Sequence, residues 1–245
     1  MLSICDDRRI FVVFEALKRG ISTDVIYEAT KIDYWFLEKL RKMAEFELSL
    51  PGNLTEEAYL KGKKLGYPDS VLERLSGQKV TNPMAYSYRM VHDCSAESAT
   101  ESPYFYSVCG GENEAKTFIE QKKSNKKRVI VFGSGPIRIG QGIEFDYASV
   151  HCVWALKKAG FEVIIVNNNP ETVSTDFDTG DRLYFEPLTP EDVMHIIRTE
   201  QPYGVVVAFG GQTAIKLTKF LDRQGVKILG TSPDSIDEAE DRNRF

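Results

Sequence analysis

The sequence predicts an α-helical segment followed by an α/β domain with a largely parallel sheet, and three observations carry that reading. From residue 128 onward, short runs rich in Val, Ile and Phe alternate with helical patterns, the signature of strands covered by crossover helices. Residues 129–132, Val-Ile-Val-Phe, form an apolar run between Arg128 and Gly133, as a strand buried on both faces requires. Residues 1–80 instead show helical spacing punctuated by glycine and proline. The chain of 245 residues therefore divides into a helical part at 1–80, a connector at 81–126 and an α/β domain at 127–245.

The helical part opens with an amphipathic pattern over 6–20, placing Ile10, Val13, Phe14 and Leu17 on one face and Gly20 at its end. A second helix is predicted at 23–30. A third begins near Asp33, carries Trp35, Phe36, Leu37, Leu40, Met43 and Ala44, and stops before Pro51-Gly52-Asn53. Helices at 56–64 and 69–75 end at Gly66 and Gly77. Paired short helices invite a DNA-binding reading, but basic and acidic residues nearly balance over 1–80, and phosphate binding needs clustered positive charge. Helix packing is the preferred account.

Residues 81–126 show no sustained period, and Tyr86, Tyr88, Tyr104, Phe105 and Tyr106 lie among polar residues. This segment is expected to lie extended over the folded domains, with its aromatics as anchors. Lys122, Lys123, Lys126, Lys127 and Arg128 make a solvated basic approach to the first strand.

In the α/β domain, strands are predicted at 129–132, 162–166, 183–185, 205–209 and 227–229. Helices are predicted near 144–158, at 190–200 with Pro190 in an allowed first-turn position, at 214–223, and from 236. Ligand contacts in such folds gather beyond the carboxyl ends of the strands, here 133–142, 167–175, 210–213 and 231–234. Backbone N–H groups at Gly133, Gly135, Gly140 and Gly142 are candidates to cradle an anion, with tight loop packing as the alternative. Asn169, Glu171, Thr172, Gly211 and Gln212 are candidate contacts on the same rim, again with loop stabilisation as the alternative. Glu144 lies at the mouth of a helix, where the helix dipole favours a carboxylate. The dinucleotide fingerprint fails, because its third glycine falls at Arg138 and the second strand ends in Asn167, Asn168 and Asn169 where an acid would hold a ribose. A nicotinamide cofactor is not expected.

With 42% hydrophobic and 27% charged residues and a net charge of −5, the composition is that of a globular domain without a broad footprint for nucleic acid or an anionic membrane. No apolar run approaches the roughly 18 residues of a membrane span, and the first residues lack a signal-peptide pattern, so a cytoplasmic location is expected. Cys5, Cys94, Cys109 and Cys152 are scattered, and His92, His151 and His195 share no ligand spacing with them. Reduced structural thiols and no metal site follow. No Walker motif and no carboxylate cluster for Mg²⁺ is found, so no catalytic residue is expected in this chain.

Several longer motifs occur in order: Gly-Gln-Gly-Ile-Glu-Phe-Asp-Tyr at 140–147, Asn-Pro-Glu-Thr-Val-Ser-Thr-Asp-Phe-Asp at 169–178, Asp-Arg-Leu-Tyr-Phe-Glu-Pro at 181–187, Gly-Gly-Gln-Thr at 210–213 and Gly-Thr-Ser-Pro-Asp-Ser-Ile-Asp at 230–237. Together they resemble the large subunit of carbamoyl-phosphate synthetase, and 137–146 resembles its second, carbamate-phosphorylating half. The resemblance implies a helical oligomerisation domain at 1–80 and a Rossmann-like pre-ATP-grasp domain at 127–245, cut from a longer subunit. It implies that Gly142 and Glu144 border the internal passage taken by carbamate. It further implies a complete enzyme making carbamoyl phosphate from glutamine-derived ammonia, bicarbonate and two ATP, with Mg or Mn, for pyrimidine and arginine biosynthesis. Nucleotide and metal would bind ATP-grasp domains outside this chain, leaving the fragment inactive and without a cofactor. The implied partners are the rest of the large subunit, a glutaminase small subunit and further copies through the helical domain. The alternative is a freestanding regulatory module that binds a small anion on the α/β rim.

Overall fold

In the computed structural model, which describes residues 1–91, 103–136 and 144–244, the stretch Met1–Met84 is built from helices. These are α1 (Arg9–Lys18), α2 (Thr23–Thr30), α3 (Tyr34–Ser49), α4 (Glu56–Lys64) and α5 (Asp69–Ser76). Short polar side chains set their starts. Asp33 Oδ1 accepts the Trp35 N–H at 2.8 Å at the head of α3, and Thr55 Oγ1 accepts the Ala58 N–H at 3.2 Å at the head of α4. Val13, Leu17, Ile26, Leu37 and Ala44 make one apolar core, and Phe46, Leu50, Tyr59, Tyr67 and Leu72 a second.

The second unit, Ala85–Phe245, is organised around a six-stranded sheet. Its strands are β1 (Ser87–Met90), β2 (Tyr104–Val108), β3 (Arg128–Phe132), β4 (Glu162–Val166), β5 (Arg182–Tyr184) and β6 (Gly204–Val206), in the order β1-β2-β5-β4-β3-β6. The β1–β2 pair is antiparallel and all the other pairings are parallel. The connecting helices are α6 (Glu114–Lys122), α7 (Glu144–Lys158), α8 (Pro190–Glu200), α9 (Gly211–Ile215), α10 (Thr218–Arg223) and α11 (Pro233–Glu240). Alternate residues of the central strands feed opposite faces: Ile130, Phe132, Ile164 and Val166 on one, Val129, Val131, Val163 and Ile165 on the other. This two-sided burial is why β3 and β4 read as unbroken apolar runs.

Where β4 and β5 begin lies a charged knot. The Arg182 guanidinium donates to both carboxylate oxygens of Glu200, at 2.9 and 2.8 Å, and also to Glu162. Tyr184 adds its hydroxyl to Glu200 at 2.6 Å. Arg182 is 2% exposed and Glu200 fully buried, so β4, β5 and α8 are joined through charge satisfied by charge.

Several sequence expectations differ from this structure; the strand expected at 205–209 ends at Val206 and the helix expected from 236 starts at Pro233. Within the expected connector at 81–126, the described residues include β1, β2 and α6 of the second unit, and Tyr88 and Phe105 are buried in its core. Strands of four and five residues pairing across a long intervening segment leave no local periodicity or tight-turn signature to read. The strand expected at 227–229 is a single parallel bridge between Val205 and Ile228. The helix expected at 214–223 begins earlier and is interrupted between Ile215 and Thr218, giving α9 and α10.

Candidate functional site

The carboxyl ends of β3 and β4 meet in a junction held by one buried amide. Asn167 is fully buried, and its Oδ1 accepts the Gly135 N–H at 3.1 Å and the Asn169 N–H at 3.4 Å. Its side chain fills the space a Cβ on Gly133 would need, 2.6 Å away. Gly135 turns the chain with φ of +70°, a conformation that costs glycine little. A Cβ on Gly210 would lie 2.6 Å from the carbonyl oxygens of both Phe132 and Gly133, so the loop after β6 approaches β3 backbone to backbone.

The candidate rim residues take up defined positions. The Gly133 N–H donates to the Val166 carbonyl at 2.9 Å, so the N–H groups of Gly133 and Gly135 both already have protein acceptors. Asn169 Oδ1 accepts the Glu171 N–H at 3.1 Å, an Asx turn. Thr172 Oγ1 lies 3.1 Å from Ser174 Oγ and closes a short 3₁₀ turn, Val173–Thr175. Gly211 has φ of +58° and packs over the Phe145 ring, while the Gln212 amide donates to Glu240 at 2.8 Å. Glu144 is exposed at the first position of α7. Gly140 and Gly142 lie outside the described residues, as do His92 and Cys94.

A cavity of about 570 Å³ opens between α7 and the 170–176 segment. Tyr147, His151 and Trp154 are spaced i, i+4, i+7 along α7 and form one wall, with ring centroids 4.2 Å apart for the first pair and 5.2 Å for the second. Asp146, Glu171 and Asp176 also line the cavity, whose described lining contains no Lys or Arg. Asp146 is 8% exposed. Its Oδ2 accepts the Ser174 N–H at 3.2 Å, and its Oδ1 has no partner among the described residues.

Sequence reasoning singled out neither Asp146 nor Asn167 as a site residue. For Asp146 a signal existed: it shares a helical stripe with Ser149, Val150 and Val153, all buried, so an acid was placed where apolar residues belong. Asn167 offered none, since a polar residue ending a strand is ordinary. Among the described residues no group of three or more His, Cys, Asp or Glu could hold a metal ion. No helix among them is long and apolar enough to cross a membrane.

Comparison with known proteins covers both units. Residues 1–91 match the model for the carbamoyl-phosphate synthetase large chain oligomerisation domain, and residues 125–238 match that for the carbamoyl phosphate synthase preATP-grasp domain. Along its full length the chain is 52% identical to proteins named carbamoyl phosphate synthase large chain in Agathobacter rectalis and in Lachnoclostridium phytofermentans. It is 51% identical to the protein of that name in a Thermoanaerobacter species. The chain spans 23% of the length of each of these relatives.

Proposed function

We propose, on the premise that the chain belongs to the carbamoyl-phosphate synthetase large-chain family, that it is the stretch of that subunit joining the oligomerisation domain to the Rossmann-like domain that precedes the second ATP-grasp module. The observation that carries this reading is the succession of the two family matches, 1–91 then 125–238, within one chain. The complete protein then makes carbamoyl phosphate from glutamine-derived ammonia, bicarbonate and two ATP in the cytoplasm, feeding pyrimidine and arginine biosynthesis. The helical unit supports self-association, and a glutaminase subunit supplies ammonia. Phosphoryl transfer, with its ATP and Mg or Mn, falls in this reading to the ATP-grasp modules of the complete protein.

The contribution of this chain to the reaction is a wall. We assign Gly142 and Glu144 to the passage that delivers carbamate to the second phosphorylation because their Gly-Ile-Glu motif at 142–144 resembles the one that borders this passage in the family, and Glu144 stands exposed at the head of α7. Phenylalanine at 142 adds a large side chain where glycine has none. In the complete enzyme, Gly142→Phe should therefore uncouple the reaction: bicarbonate-dependent ATP hydrolysis persists while carbamoyl phosphate formed per ATP falls. An unchanged yield per ATP, or equal loss of every partial reaction, rejects the passage assignment.

A further inference from the structure

The cavity beside α7 has a chemistry that the wall role does not use. We propose that it is a binding site for a small organic cation: a primary ammonium carried on a flat or aliphatic body. The aromatic wall of Tyr147, His151 and Trp154 is unusual for the surface of a helix, since Tyr147 is 66% and Trp154 51% exposed. Ring faces attract ammonium groups electrostatically and pack flat apolar bodies by dispersion. The volume of about 570 Å³ lies within the range of small-molecule sites, roughly 300–1,000 Å³.

Charge decides the class of ligand. Asp146, Glu171 and Asp176 face the cavity with no basic residue in its described lining, so these side chains repel an anion. A neutral apolar ligand is attracted by the rings but leaves Asp146 as it stands, with a buried Oδ1 that accepts from nothing described. A buried polar atom without a partner is costly and uncommon in folded proteins. An ammonium brings three N–H donors and a positive charge, which answers both the orphaned oxygen and the acidic lining. The other carboxylate oxygen is already fixed by the Ser174 N–H, so Asp146 is held in place before any ligand arrives.

The test uses the whole chain. Its two tryptophans are Trp35 and Trp154, so Trp35→Phe leaves Trp154 as a sole fluorescent reporter in the cavity wall. Three probes of matched size are titrated in that background: 2-phenylethylammonium, 2-phenylethanol and phenylacetate. The expected result is saturable perturbation of Trp154 by the ammonium, with affinity at least about tenfold above the alcohol and phenylacetate weakest. Asp146→Asn should abolish the preference for ammonium over alcohol without weakening the alcohol. Should that variant fail to fold, Trp154→Ala decides the matter by calorimetry, because the removed side chain is half exposed; an expected loss of about tenfold in ammonium affinity supports the site. Ammonium binding no tighter than the alcohol, a preference that survives Asp146→Asn, or an affinity unmoved by Trp154→Ala each overturns the proposal and leaves Asp146 as a packing group for the Val173–Thr175 turn.

Discussion

Two buried side chains of the α/β unit carry consequences that a contact map alone does not show. Asn167 serves two backbone N–H groups with one oxygen, and Asn167→Ala leaves both without that acceptor, the Gly135 N–H in a buried place and the Asn169 N–H in a half-buried one. The expected cost is about 1–3 kcal/mol of stability, read as a lower urea midpoint with an unchanged slope. Glu186 is the second. Its carboxylate accepts from both the N–H and the hydroxyl of Ser107, the hydroxyl at 3.0 Å, and so ties β2 to the chain just beyond β5. Burial nonetheless pushes its pKa up to about 7, against the two Ser107 hydrogen bonds, which pull it down. Because the folded value lies above the unfolded one, this contribution to stability is fully present below the ordinary glutamate range and is lost as pH rises through 7. The loss amounts to about 3 kcal/mol as an order of magnitude, and Glu186→Gln should flatten the pH dependence of the unfolding free energy between about 4 and 7. A wild-type slope that the substitution leaves untouched assigns the pH dependence elsewhere.

At the scale of elements, legibility followed the range over which each signal acts. The starts of α3, α4 and α8 were readable because the group that sets them is local: Asp33, Thr55 and Thr189 each stand next to the N–H groups they satisfy. Asp33→Ala should accordingly cost about 0.5–2 kcal/mol, while Asp33→Asn, which keeps the acceptor, costs little; chemical denaturation distinguishes the two. The strands β3 and β4 were readable because burial on both faces writes itself as an apolar run. The β1–β2 hairpin was not, because its stability comes from partners far along the chain, such as Phe105 beside Tyr184 with ring centroids 5.4 Å apart. The rim shows the same division. Gly133 and Gly135 lie in the tight turn after β3 and Gly211 starts α9 with positive φ, but which N–H groups are free near Gly133 and Gly135 depends on Asn167 and Val166, and spacing does not encode that.

For the whole molecule, the central question is whether the two units share one stability or keep two. Each has its own apolar interior: Leu72 is fully buried in a core formed by residues of Met1–Met84, and Ile130 and Ile164 in one of Ala85–Phe245, whose strand β5 carries the buried Arg182. Arg182→Met leaves Glu162 and Glu200 buried with their main countercharge gone, a change expected to cost about 3–5 kcal/mol. Leu72→Ala removes packing worth about 2–5 kcal/mol in the helical unit. If the units are thermodynamically separate, calorimetry should resolve two transitions, with Arg182→Met lowering only one and Leu72→Ala only the other. A single transition lowered by either substitution would instead mean that the units unfold together. In that case a lesion in the helices would reach the α/β rim through stability alone, and a helical variant that weakens the rim would need no separate structural explanation.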